Sequence, residues 1–268
     1  MFKRKIIAFI LGVVIIAAVS AAYFLRQQYV VPILMYHSVD PRAEEKNVLA
    51  VTPEIFARQM DFLKKHHYNV IPLEKLVDLI KAKAKIPPKT VVITLDDGYR
   101  DNYFYAFPVL RKYNLPATIF VIINEVDRPQ HDRLSWEEIK EMQDSGIIYF
   151  GSHTLGAEPL VNLQSEQEVK RQIFESKKIL EEKLGRKVLV FSYPEGLFNA
   201  KIRQKVIDAG YTGAVATNPG RNSSDRDNFA LKRLRISRNA ANLFVFAVET
   251  SGYYTFFKEN KKHRHEKK

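Results

Sequence analysis

Eight short apolar runs alternate with helical patterns along the chain, and this alternation constrains the fold more than any other feature. The candidate strands are Pro32–Tyr36, Asn69–Ile71, Thr90–Leu95, Ala117–Ile122, Ile147–Gly151, Val188–Tyr193, Gly213–Ala216 and Ala230–Ile236. Between them lie helical stretches near 53–66, 73–84, 101–113, 135–144, 165–184 and 199–209, with another at 241–249. Ser135 and Glu138 have the spacing of a capping box ahead of the helix that contains Trp136. Thr52-Pro53 and Pro87-Pro88 mark boundaries, and Gly146 stands where a helix C-terminal glycine belongs. Repeated strand–helix alternation predicts a parallel sheet, either open and doubly wound or closed. Eight strands tilt the choice toward a distorted or incomplete (β/α) barrel.

The two ends read differently from this body. Lys3, Arg4 and Lys5 precede an uncharged run from Ile6 to Leu25, closed by Arg26. Twenty helical residues span about 30 Å, the thickness of a hydrocarbon core. Residues 6–25 are therefore expected to form one N-terminal transmembrane helix, with the basic cluster cytoplasmic and the remainder exported. Small residues from Ala17 to Ala22 leave cleavage, and hence secretion, as the alternative. At the other end, residues 258–268 read as a solvated basic tail, with His263 and His265 in it as charged-tail residues rather than metal ligands. The division expected is a membrane segment at 1–28, one barrel domain at 29–257 and the tail at 258–268.

The formal charge of +12 raises nucleic acid as a partner. The N-terminal cluster carries +3 and the tail +4, leaving +5 on everything between them. With no recognition motif in that mildly basic body, nucleic-acid binding is not expected. The chain has no cysteine, so thiol nucleophiles and Cys-ligated metals are excluded. Any metal must sit on His, Asp or Glu.

In (β/α) barrels functional groups gather at the C-terminal ends of strands. His37 follows ILMY, Asp96 and Asp97 follow VVITL, His153 follows IIYFGS, and Tyr193 ends VLVFSY. Arg233 and Arg235 lie late in the last run. Singly, each has a plain structural reading: Asp-Asp-Gly as a turn, His37 as a core histidine, His153 as a cap. Their convergence on one rim from distant strands is the stronger signal.

TLDDG at 94–98, GSHT at 151–154 and YPEG at 193–196 resemble three ordered motifs of the polysaccharide deacetylases, the NodB-homology domains of carbohydrate esterase family 4. PILMYHSVD and LSWEEIKEM are similar to that family too, so the resemblance covers roughly residues 30–238. It implies a distorted (β/α) barrel and a divalent metal, zinc first, with cobalt or nickel in some members. The implied reaction removes N-acetyl groups from an N-acetylglucosamine polymer such as poly-GlcNAc, peptidoglycan or a chitin-like chain. By resemblance Asp96 is the general base, Asp97 and His153 are metal ligands, and Tyr193 gives a backbone N–H to the oxyanion. In a permuted branch that includes poly-N-acetylglucosamine deacetylases, the acid histidine follows the first strand, where His37 stands.

Two positions depart from the pattern. Ser192 occupies the place of an arginine that orients the base, for which Arg235 is the candidate replacement. Ala157 occupies the place of the second ligand histidine. Three outcomes stay open there: Glu158 supplies an oxygen ligand, water fills the position, or the domain is a catalytically impaired relative that only binds carbohydrate.

Overall fold

The computed structural model describes residues 2–27, 29–43, 49–128, 132–217, 227–236 and 238–254. The expected tail at 258–268, with His263 and His265, lies outside the described residues. Among the described residues there are eleven strands: β1 (Ile33–Tyr36), β2 (Ser38–Val39), β3 (Ala50–Val51), β4 (Asn69–Val70), β5 (Thr90–Leu95), β6 (Ala117–Val121), β7 (Ile148–Ser152), β8 (Val190–Ser192), β9 (Gly213–Ala216), β10 (Leu231–Lys232) and β11 (Leu234–Arg235). The helices are α1 (Phe2–Gln27), α2 (Pro53–Lys65), α3 (Leu73–Lys81), α4 (Phe107–Tyr113), α5 (Trp136–Asp144), α6 (Glu166–Leu184), α7 (Ala200–Asp208) and α8 (Leu243–Glu249).

The main sheet runs β10-β9-β8-β7-β6-β5-β1-β11, with β4 beside β5, and every pairing is parallel. Its two edges are consecutive in sequence. Leu231–Lys232 pairs with β9, Leu234–Arg235 pairs with β1, and Arg233 lies at the change of partner. The run expected as one strand, Ala230–Ile236, is therefore two, and together they nearly close the sheet into a barrel.

Strand alternation sorts the side chains into two layers. Val91, Ile93 and Leu95 point outward into a cluster with Phe56, Leu110, Ile139 and Ile173 from the surrounding helices. Val92 faces inward with Ile33, Phe120, Val190 and Val215, where Leu73, Leu76 and Val77 of α3 plug the barrel. Burying each of these three plug residues contributes about 1.5–3 kcal/mol. Gly151 is required in β7 because a Cβ there would lie 2.5 Å from the Phe120 ring. The Ser135–Glu138 capping box is present at the start of α5.

Large apolar side chains are exposed all round the described part of α1, among them Phe9, Ile10, Val13, Ile16 and Phe24. Among the described residues no helix is long and apolar enough to cross a membrane.

Candidate active site

The inward phase of β5 continues past the strand. Val92 and Thr94 face the barrel interior, so Asp96 does as well, and it is 2% exposed. Arg233 meets it there, with Nη1 donating to Asp96 Oδ1 and Nη2 to Oδ2, both at 2.6 Å. The same guanidinium donates to Thr94 Oγ1 at 3.3 Å and to Ser192 Oγ at 3.0 Å. Burial pushes the Asp96 carboxyl up, but the charges of Arg233, His153 and His37 outweigh it and hold the group at about 2.

This corrects the expectation for Arg235, which is exposed, whereas Arg233 is buried. Alternation along an unbroken strand would place residues 231, 233 and 235 on one face. The change of partner at 233 separates them.

His153 follows β7 and brings its ring to the same centre. Its Nδ1 lies 2.8 Å from Ser192 O, a carbonyl that can only accept, so Nδ1 carries the hydrogen. Nε2 then faces Asp97 Oδ1, 3.4 Å away, with Asp96 Oδ2 at 4.0 Å. His37, after β1, feels both carboxylates: burial lowers its pKa, the charges of Asp96 and Asp97 raise it, and Arg233 and His153 lower it again.

Three of the nine non-glycine residues in the left-handed region, among the described residues, lie on the same rim. Asp97 (φ 69°), Thr154 (φ 71°) and Glu195 (φ 56°) are non-glycine residues in the left-handed region, just after β5, β7 and β8. Each such residue is costly and persists only where its surroundings enforce it, a pattern that concentrates at functional sites.

Asp97 and His153 fit a divalent cation as two donors, one hard oxygen and one oriented imidazole. The expected third ligand does not join them. Glu158 is exposed, as is Ala157, while Pro159 and Leu160 turn back into the core. Among the described residues no group of three His, Cys, Asp or Glu could hold a metal. Tyr193 is also corrected in its role. Its N–H donates to Val215 O at 3.1 Å within the sheet, and its hydroxyl donates to Phe229 O. Pro194 has no N–H and Gly196 donates to Tyr193 O, so Glu195 supplies the other N–H of this turn.

The Asp96–Arg233 geometry sets an acid limit on stability. A carboxyl held below its ordinary 3.8 stabilises the fold fully above that value, and the contribution is lost as pH falls toward about 2. The melting temperature should therefore drop between about pH 4 and pH 2, and Asp96→Asn should flatten that part of the profile.

The family model for polysaccharide deacetylases matches residues 83–214. YxkH of Bacillus subtilis, named after the same family, is 35% identical over 206 residues, covering 77% of this chain and 71% of its own length. The poly-beta-1,6-N-acetyl-D-glucosamine N-deacetylase of Staphylococcus epidermidis is 31% identical over 206 residues, covering 71% of this chain and 69% of its own. The Streptococcus pyogenes deacetylase PplD, solved in complex with acetate, superposes with a TM-score of 0.73 at 28% identity, covering 81% of this chain and 97% of that one. The chain belongs to the polysaccharide deacetylase family, hydrolases of carbohydrate esterase family 4, as the ordered motifs implied.

Proposed function

We propose that this protein removes N-acetyl groups from an N-acetylglucosamine polymer, with Asp96 as general base and His37 as general acid. The observation that carries the reading is a fully buried carboxylate kept ionised by Arg233 beside two imidazoles and a second carboxylate. The name of the Staphylococcus epidermidis relative favours a poly-β-1,6-linked chain over peptidoglycan or a chitin-like polymer.

Both Asp96 oxygens accept from Arg233, and each keeps a further lone pair for a water. A carboxylate held at about 2 is a weak base, so the water must be made acidic, and a divalent cation on Asp97 and His153 would supply this and polarise the amide carbonyl. Asp96 takes the water proton as the C–O bond forms. His37 gives a proton to the amide nitrogen as the C–N bond breaks, leaving acetate and a glucosamine amine. The lowered pKa of its imidazole makes the protonated ring a readier donor. We assign the oxyanion donor to the Glu195 N–H, since that of Tyr193 is bonded in the sheet.

We propose from the sequence that the domain lies outside the cell membrane, anchored by residues 6–25, an uncharged run of twenty residues behind a basic cluster. Cleavage within that segment would instead release it.

Ala157 favours a second reading, a glycan-binding relative with little turnover. Metal affinity separates the two. Ala157→His should raise zinc affinity at least ~10–100-fold in isothermal titration, with acetate release from GlcNAc oligomers rising in parallel. Acetate release by the wild type under added zinc, cobalt or nickel supports the deacetylase. Oligomer binding without acetate, in wild type and variant alike, would favour the second reading.

A further inference from the structure

Two buried polar residues beside this centre have no part in the chemistry above. Asp101 is 6% exposed and Asn102 is fully buried, and both follow Gly98 on the loop that carries Asp96 and Asp97. Asp101 accepts from Ser38 Oγ at 2.5 Å and from Asn102 Nδ2 at 2.7 Å. Asn102 Nδ2 also donates to the carbonyl oxygen of His37 at 2.9 Å. Two successive residues, His37 and Ser38, are thus gripped by two successive residues of the other loop.

A buried carboxylate is costly unless its oxygens are bonded, and here its bonds go to the segment that carries His37. Asn102 opens a π-helical stretch, Asn102–Ala106, a widened geometry found mostly at functional sites. Its Oδ1 is buried without a hydrogen-bond partner, so the side chain is oriented by its donor end alone.

We infer that Asp101 and Asn102 are positioning residues for His37, fixing the reach of its imidazole to the amide nitrogen by holding its own carbonyl and the hydroxyl of the residue after it. The inference rests on the assignment of His37 as acid. A displacement of about 1 Å at such a group costs roughly 100-fold in rate, so a partial loosening should cost about 10-fold or more.

The test uses the full chain under added zinc. Asn102→Leu fills the volume and removes the donor. It should lower kcat by about 10-fold or more at unchanged KM. Asp101→Ala should behave alike, and Asp101→Asn, which keeps an acceptor for Ser38, should recover most of the loss. In a His37→Ala background Asn102→Leu should cost nothing further, because the two act as a unit. Additive losses, or a change confined to KM, would overturn the inference and leave the pair a folding role. Full activity in His37→Ala would instead reject the acid assignment, a separate result. If turnover is absent, the imidazole signals decide by NMR: Asn102→Leu should move the His37 resonance and leave that of His153 in place. An unmoved His37 resonance would overturn the inference.

Discussion

Asp96→Asn should lower acetate release by ~10²–10⁴-fold, the loss expected when a positioned base is removed. The amide has nearly the shape of the carboxylate but cannot take a proton from water. It also turns an N–H toward the guanidinium of Arg233, where an oxygen accepted at 2.6 Å before. Folding will suffer as well as catalysis, so the comparison belongs well below the melting temperature of the variant, with oligomer binding measured beside it. Retained binding with lost turnover supports the role given to Asp96. A variant that releases acetate at the wild-type rate would sink it.

Arg233→Met should destabilise the fold by about 3–5 kcal/mol, because it strands a buried charge whose partner is gone. For a domain of this size that is a fall of roughly 10 °C in melting temperature. The Asp96 carboxyl should rise, since burial would then act with less opposition, and the acid limb of the activity profile should move up with it. Arg235→Met provides the contrast. That side chain is exposed on β11, so its loss should stay within about 0.5 kcal/mol. Equal effects at the two positions would refute the assignment of the base partner to Arg233.

The contrast between these arginines also marks where sequence stops being informative. Local signals placed the elements well: Thr90–Leu95 is β5, the capping box starts α5 at Trp136, and α6 covers Glu166–Leu184 within a residue of the pattern at 165–184. These spans depend on periodicity, caps and turn residues, all encoded nearby. The partner change at Arg233 depends on β1 and β9, nearly the whole domain apart, so no local pattern predicts which arginine turns inward. The two-residue strands Ser38–Val39 and Ala50–Val51 are too short to show a period. Of the candidate site residues, His37, Asp96, Asp97 and His153 stand out in the sequence as polar residues ending apolar runs. Tyr193 misled because a strand-end position does not reveal whether its N–H is already taken by a neighbouring strand. Glu158 misled because adjacency in sequence to a missing ligand says nothing about which way a loop residue faces. Asp101 and Asn102 carried a faint signal, two further polar residues just after Asp-Asp-Gly, with no hint of their partner in Ser38.

The partner change at Arg233 also has a kinetic consequence. Asp96 and Arg233 are 137 residues apart, and the stretch 231–235 must meet both β1 and β9 before the guanidinium can reach its carboxylate. Contacts so distant in sequence form late, after loop closure has been overcome. A nascent chain shorter than about 235 residues would have Asp96 without its counter-charge, and water would remain around it. Dehydration of the centre and completion of the sheet therefore coincide, so the chain acquires its chemistry only as its last strands dock.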